Sequence, residues 1–269
     1  MKISLPIVQK VNGVILYKGP SLLNGKPIVC IATGLQDGSS NRKTGDFIQT
    51  YILPTKEKPT DAINSGNDDA VCGDCIHRKK DGFGTCYVNA GYGPNSIFKS
   101  YSAGKYPIFD QNIHLNLFKD KLIRLGAWGD PSAIPVKTWE SILEVSAGHT
   151  GYTHQWRKCD QTLKKYCMAS VESEEGLIKA KKMGWKTFRV RRSDEPIIQG
   201  EFICPASIEA NKRLKCETCL ACKGGEYNKQ VTPVIISHGL DWKSKRFNKM
   251  QKLMVQKKKF RGLFNGKNI

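Results

Sequence analysis

From Leu122 onward, apolar runs of strand length alternate with amphipathic helical stretches, and few folds accommodate that order. The runs Leu122 to Trp128, Thr150 to Trp156, Tyr166 to Val171, Thr187 to Val190, Phe202 to Cys204 and Val231 to Ser237 read as strands. Between the first two, Pro135 opens a helix whose apolar stripe is Val136, Trp139, Ile142, Leu143 and Val145, with Gly148 placed to end it. A second helix is capped by Ser173, starts with Glu174 and Glu175 where acids suit the helix dipole, and stops at Gly184. Strands joined through helices pair in parallel by right-handed crossovers, so the expected class is α/β. The first 120 residues are less regular. They offer the strand-like runs Ile28 to Leu35 and Phe47 to Leu53 between loop signals at Gly34 to Gly45 and Gly91 to Asn95.

At 269 residues the chain can bury a sizeable core without staples, and no apolar run approaches the length of a membrane span. The segment Met1 to Leu16 breaks its apolar residues with Pro6, Gln9, Lys10, Asn12 and Gly13, unlike a secretory signal, so a cytoplasmic protein is expected. Its ten cysteines would then stay reduced, which favours ligand or redox roles over disulfides. The net charge of +19 is concentrated at the C-terminus, where residues 241–269 hold ten Lys/Arg and one Asp. This divides the chain into a cysteine-rich α/β domain over residues 1–240 and a basic tail. Phe247, Met250 and Met254 fall at helical spacing within the tail, which therefore reads as a basic amphipathic helix. Such a tail either attracts nucleic acid through its phosphates or simply solvates the protein.

Two cysteine constellations carry the chemistry. Cys216, Cys219 and Cys222 form C-x2-C-x2-C, with Cys204-Pro205 upstream, a ligand pattern of ferredoxin-type iron–sulfur sites. A zinc site built from four cysteines is the rival. Cys72, Cys75 and Cys86 form C-x2-C-x10-C, three ligands that leave a metal position open. The alternative is a closed zinc site completed by His77, Cys159 or Cys167. Cys30, Cys159 and Cys167 otherwise read as buried apolar residues.

Ligands of parallel α/β folds bind at the carboxyl ends of strands. Gly129, Asp130 and Pro131 follow one such strand, Asp130 offering a carboxylate where Gly129 lets a ligand approach. The strand Thr150 to Trp156 is unusually polar, so one side of it should face a cavity, a ligand or water, and His154 is its candidate catalytic residue. Ser170 and Glu172 end another strand, and Arg189 to Arg192 end a third, where arginines suit carboxylate or phosphate recognition. The signatures of P-loop hydrolases, dinucleotide enzymes, serine hydrolases and zincins do not occur.

Taken in order, Asn41-Arg42-Lys43-Thr44-Gly45-Asp46, the cysteine loop ending in Cys86-Tyr87, and Gly129-Asp130-Pro131 are followed by His149 to Trp156, Met168-Ala169-Ser170-Val171 and Cys204-Pro205-Ala206-Ser207. Over residues 20–240 this order resembles an uncharacterised phage and prophage protein family. More distantly it is similar to the gene product eighty-eight family and to radical SAM enzymes. That resemblance implies a partial (β/α) TIM-like barrel with a cluster held by Cys72, Cys75 and Cys86. It also implies a turn at Gly129, Asp130 and Pro131 that contacts S-adenosylmethionine, and an auxiliary cluster on Cys204, Cys216, Cys219 and Cys222. The reading is then an iron–sulfur metalloprotein, radical SAM-like, acting on nucleic acid or protein. Its rival is a zinc-stabilised nucleic-acid-binding protein without chemistry.

Overall fold

The computed structural model describes residues 11–38, 44–212, 214–226 and 232–265, without the side chains of 257–265. Met1 to Lys10 and Asn41 to Lys43, used above for the leader and loop readings, lie outside the described residues. Nine strands form one mixed sheet: β1 (Gly13–Pro20), β2 (Pro27–Thr33), β3 (Phe47–Pro54), β4 (Leu122–Trp128), β5 (Gly148–Thr153), β6 (Met168–Val171), β7 (Thr187–Arg191), β8 (Glu201–Ile203) and β9 (Thr232–Ile236). Their order is β1-β2-β3-β4-β5-β6-β7-β9-β8. The first three are antiparallel, whereas β3 through β7, β9 and β8 are paired in parallel.

The α/β expectation therefore holds, and the irregular N-terminal region is corrected in part. Residues 13–54 contain a three-stranded meander, and irregularity begins only after it. Four short helices follow before β4: α1 (Pro59–Ser65), α2 (Asp69–Cys72), α3 (Gly93–Ser102) and α4 (Gln111–His114). Helix α5 (Val136–Leu143) joins β4 to β5, α6 (Glu174–Lys182) joins β6 to β7, α7 (Cys216–Cys219) lies between β8 and β9, and α8 (Asp241–Asn265) ends the described chain. Helix α5 stops before Gly148, which instead opens β5. For α6 the cap is as expected, with Ser173 Oγ accepting from Gly176 N at 3.1 Å.

The two faces of the sheet differ because side chains alternate along each strand. On one face Ile123 and Leu125 of β4, Ala169 and Val171 of β6, Trp139 and Ile142 of α5, and Leu177 and Ala180 of α6 share a single hydrophobic core. The alternate residues Arg124, Thr150, Tyr152, Ser170, Phe188 and Val190 line a cavity of about 310 Å³. The polar character of the β5 run is thereby explained, since Thr150 and Tyr152 border open space.

Arg189 and Arg191 point to the other side of β7 from that cavity lining. The Arg189 side chain is fully buried, its Nε donating to Glu201 at 2.5 Å and its Nη1 to Glu195 at 2.8 Å. Arg191 pairs with Glu209 and donates to the Glu195 carbonyl at 2.7 Å. These arginines tie the segment carrying β8 to β7, so their expected role in recognising an external anion is replaced by an internal one. Arg192 pairs with Asp194 at 2.9 Å.

Helix α8 is continuous with the domain rather than a detached tail. Phe247 is buried and stacks on His77 with centroids 5.6 Å apart, and Lys243 Nζ donates to the Cys86 carbonyl at 2.5 Å. The basic side chains Lys245, Arg246, Lys249 and Lys252 are exposed on its outer side.

Candidate metal centre

The first cysteine set lies on a loop that folds back on itself. Cys72 ends α2, and Cys75 N donates to Cys72 O at 3.2 Å. The chain then returns so that Thr85 N and Cys86 N both donate to His77 O at 3.0 Å. That return places Cys86 beside Cys75 despite the ten residues between them. Arg78 braces the loop from within, donating to Gly73 O at 2.9 Å, Gly66 O at 2.7 Å and Asp68 Oδ1 at 2.7 Å. Gln155 Nε2 fastens it to the end of β5 through Cys72 O at 3.0 Å.

The three thiols feel one another's charge. Burial pushes the Cys72 thiol well up, and Cys75 and Cys86 push it further; burial and Cys75 likewise raise Cys86. His154 hydrogen-bonds Cys75, so this residue joins the set although the spacing of the cysteines did not include it. Of the other candidate ligands, Cys159 borders a pocket together with Cys75, while Cys167 is fully buried; burial and then Asp130 raise both thiols.

The second set gathers at the far end of the sheet. Cys204 follows β8 directly, its N–H donating to Val234 O at 2.8 Å. Cys216 and Cys219 flank the single turn of α7, and Leu220 ends that turn in the left-handed region at φ +47°. The turn docks on the start of β3, where Glu217 N donates to Thr44 O at 3.1 Å and Asp46 N donates to Glu217 Oε2 at 2.6 Å. Gly151 N of β5 donates to Cys222 O at 3.1 Å. Burial raises the Cys222 thiol, while a hydrogen bond from Tyr152 partly offsets the effect; Cys204, Cys216 and Cys219 add to the rise. All four of these cysteines line one cavity, which Tyr152 also borders.

The second set borders the 310 Å³ cavity, and the first set does not. The cavity is lined by Cys204, Cys216, Cys219 and Cys222 of the second set, and by His77 and His154 beside the first. Burial favours the neutral thiol at Cys72, Cys86 and Cys222, and a bound cation would reverse that preference.

Sulfur spacing bears on which metal fits. Thiolates on a single tetrahedral zinc stand about 3.8 Å apart, given Zn–S of about 2.3 Å. Among the described residues, three ligand atoms all within 4.8 Å of one another occur at His77, His154 and Glu172, and at neither cysteine set.

The turn at Gly129, Asp130 and Pro131 lies against the first cysteine loop, Asp130 N donating to Val71 O at 2.6 Å. Asp130 is buried, and its Oδ1 accepts from Ser132 N at 3.0 Å, Ser132 Oγ at 2.7 Å and Thr153 Oγ1 at 2.7 Å, while Oδ2 accepts from His154 N at 2.8 Å. Pro131 O accepts from Trp139 Nε1 at 3.0 Å. Gly129 has φ +84°, and a Cβ there would come within 2.7 Å of Ile52, so the glycine serves packing against β3. None of the three lines the cavity between the cysteine sets. Asp130 is a positioning residue: it ends β5 at Thr153 and sets the backbone of His154.

Glu172, which follows β6, was legible only as a strand-end residue. Its Oε1 lies 3.2 Å from His154 Nδ1 and 3.5 Å from His77 Nε2. Burial opposes its ionisation, but the two imidazoles outweigh that effect and bring its pKa down to about 2. His154 shows the converse, since burial disfavours its protonation while Cys75 and Glu172 together raise it well above the ordinary value.

Comparison with family models, curated proteins and solved structures gave no match to this chain. No helix among the described residues is long and apolar enough to cross a membrane.

Proposed function

We propose that the chain is a cytoplasmic, phage-type iron–sulfur protein with two cysteine-bound centres, acting as a radical SAM-like enzyme on nucleic acid or protein. Cys72, Cys75 and Cys86 would hold one cluster, and Cys204, Cys216, Cys219 and Cys222 the other. The observation that carries this reading is the convergence of Cys204, Cys216, Cys219 and Cys222 on one cavity of the parallel sheet, whose lining includes His77 and His154 beside the loop of the first set.

Fold order supports the same reading. The parallel strands β3 to β7 lie in chain order, and the order changes only at the edge, where β9 is inserted between β7 and β8. A doubly wound sheet reverses its strand order, whereas a barrel does not. The sheet's edge strands, β1 and β8, are not paired to each other among the described residues. An open, partial (β/α) barrel with the cavity on its inner face accounts for this arrangement.

When bound, a reduced cluster supplies a single low-potential electron. The residues of this chain do the rest: Tyr152 donates to the Cys222 thiolate, His154 to that of Cys75, and Asp130 orients His154 through its backbone. Because three cysteines leave a fourth position at the first centre, S-adenosylmethionine is the co-substrate to test, in the space bounded by His154 and Tyr152. Reduced, iron-loaded protein is expected to release methionine and 5′-deoxyadenosine from S-adenosylmethionine. Loaded protein that leaves the compound intact would remove the enzymatic part of the proposal.

A second reading, a zinc-stabilised nucleic-acid-binding protein, is favoured by the exposed lysines of α8. Deleting this helix would also remove Phe247 from His77, so Lys245, Lys249 and Lys252 are better replaced by glutamine. Colourless, zinc-containing protein whose nucleic-acid affinity and salt dependence both fall in that variant would establish this reading in place of the first.

A further inference from the structure

His77, His154 and Glu172 come from three separate elements: the cysteine loop, the end of β5 and the end of β6. Their ligand atoms all lie within 4.8 Å of one another, and the three side chains are between 13% and 26% exposed. Glu172 Oε1 is buried and faces one nitrogen of each histidine, at 3.5 Å from His77 and 3.2 Å from His154, in contacts that lack the geometry of a directed hydrogen bond. A single cation shared by the three ligand atoms would satisfy all of them at once.

The neighbours fix the imidazoles in a way that suits such a centre. His77 Nδ1 is 2.8 Å from Thr85 Oγ1, and the tautomer that donates there would leave the Nε2 lone pair free for a metal on the Glu172 side. Phe247 stacks on the His77 ring and holds its plane. His154 is hydrogen-bonded to Cys75, leaving Nδ1 toward Glu172, and its backbone is anchored by Asp130. Metal-bound histidines are oriented by outer partners in this manner. Donors bound at about 2.0–2.1 Å to one tetrahedral ion stand about 3.3 Å apart, close to the two observed separations.

The geometry points to a mononuclear site for a divalent first-row transition ion, held by His77 Nε2, His154 Nδ1 and Glu172 Oε1. Two imidazoles and one carboxylate are a donor set for zinc or non-haem iron that leaves coordination positions open. A second cavity, of about 650 Å³, reaches His154 and Glu172 and is bordered by Cys75, Arg157 and Ser173. Solvent or a small oxygen-donor ligand has access to the open positions from that side. The site would stand one imidazole away from Cys75, linking it to the first cysteine set without sharing a ligand.

The proposal does not depend on the identity of the cysteine-bound metal. Full-length protein is prepared anaerobically, its iron and sulfide are counted, and it is then titrated with Co2+. One Co2+ per chain is expected beyond the metal already present, with visible ligand-field bands and no thiolate-to-cobalt charge transfer. Glu172→Gln and His77→Gln should each weaken this binding at least about 100-fold, and Thr85→Val, which keeps all three ligands, by about 10–100-fold. Failure of the wild-type protein to take up Co2+, thiolate charge transfer in its spectrum, or unchanged affinity in Glu172→Gln would overturn the proposal. Cobalt uptake as described by protein lacking iron and sulfide would sustain this site while refuting the cluster reading.

Discussion

Replacing Cys219 and Cys222 together by serine is expected to abolish the centre near Tyr152 and leave the one near His154 in place. Iron and acid-labile sulfide per chain should fall to about half, and the remaining visible absorption should still bleach on reduction. The reason lies in how the second set is assembled. Cys222 sits between the Tyr152 hydroxyl and the charges of Cys204, Cys216 and Cys219, so removing two thiolates leaves too few donors. Because metal binding contributes directly to folding of the segment that carries its ligands, the variant should also expose residues 204–222 to proteolysis. Undiminished iron and sulfide in the double variant would show that these cysteines do not hold a cluster. Loss of both centres at once would show that the two sets are not independent.

The second large effect is one of stability. Glu201→Ala should destabilise the protein by about 3–5 kcal/mol, because it strands a guanidinium that has no route to water. Arg189 and Glu201 are both fully buried in their side chains, and Glu201 supplies two of the four hydrogen bonds that Arg189 makes. Urea unfolding measures the loss, which corresponds to a fall in Tm of about 10 °C. A change no larger than that produced by Asp194→Asn, which breaks an exposed pair, would show that the β7–β8 junction is not held in this way.

How far the sequence anticipated this arrangement depended on whether the informative partners were near in the chain. The α6 helix was legible from end to end because its cap, its acidic first turn and its terminal glycine are all local signals. Strand β1 was not, since a register shift between Ile15 and Tyr17 breaks the alternation and Gly19-Pro20 mimics a turn. Strand β5 was anticipated a few residues late. The polar run continues to Trp156, but Asp130 captures Thr153 and the His154 backbone and ends the strand there.

The site followed the same rule. Repeated C-x2-C spacing identified both cysteine sets, and the polarity of Thr150 to Trp156 identified the cavity wall. The Glu172 contacts with His77 and His154 join residues distant in sequence, with no motif to announce them. Asp130 was correctly singled out as a carboxylate after a strand, but its hydroxyl and backbone partners, which turn it inward, come from β5 and from Ser132. The arginines at the end of β7 are read from sequence either as anion binders or as solvent-facing ion pairs; they do form ion pairs, but those of Arg189 and Arg191 are buried, because Glu195, Glu201 and Glu209 come from a segment with little recognisable pattern.

The central claim is that two groups of cysteines hold iron–sulfur clusters. Its most direct test is metal and sulfide analysis of the full chain purified without oxygen, together with its visible spectrum. The account predicts a brown protein containing iron and acid-labile sulfide, with thiolate-to-iron charge-transfer absorption that bleaches on reduction. A colourless protein holding stoichiometric zinc and no sulfide would contradict it.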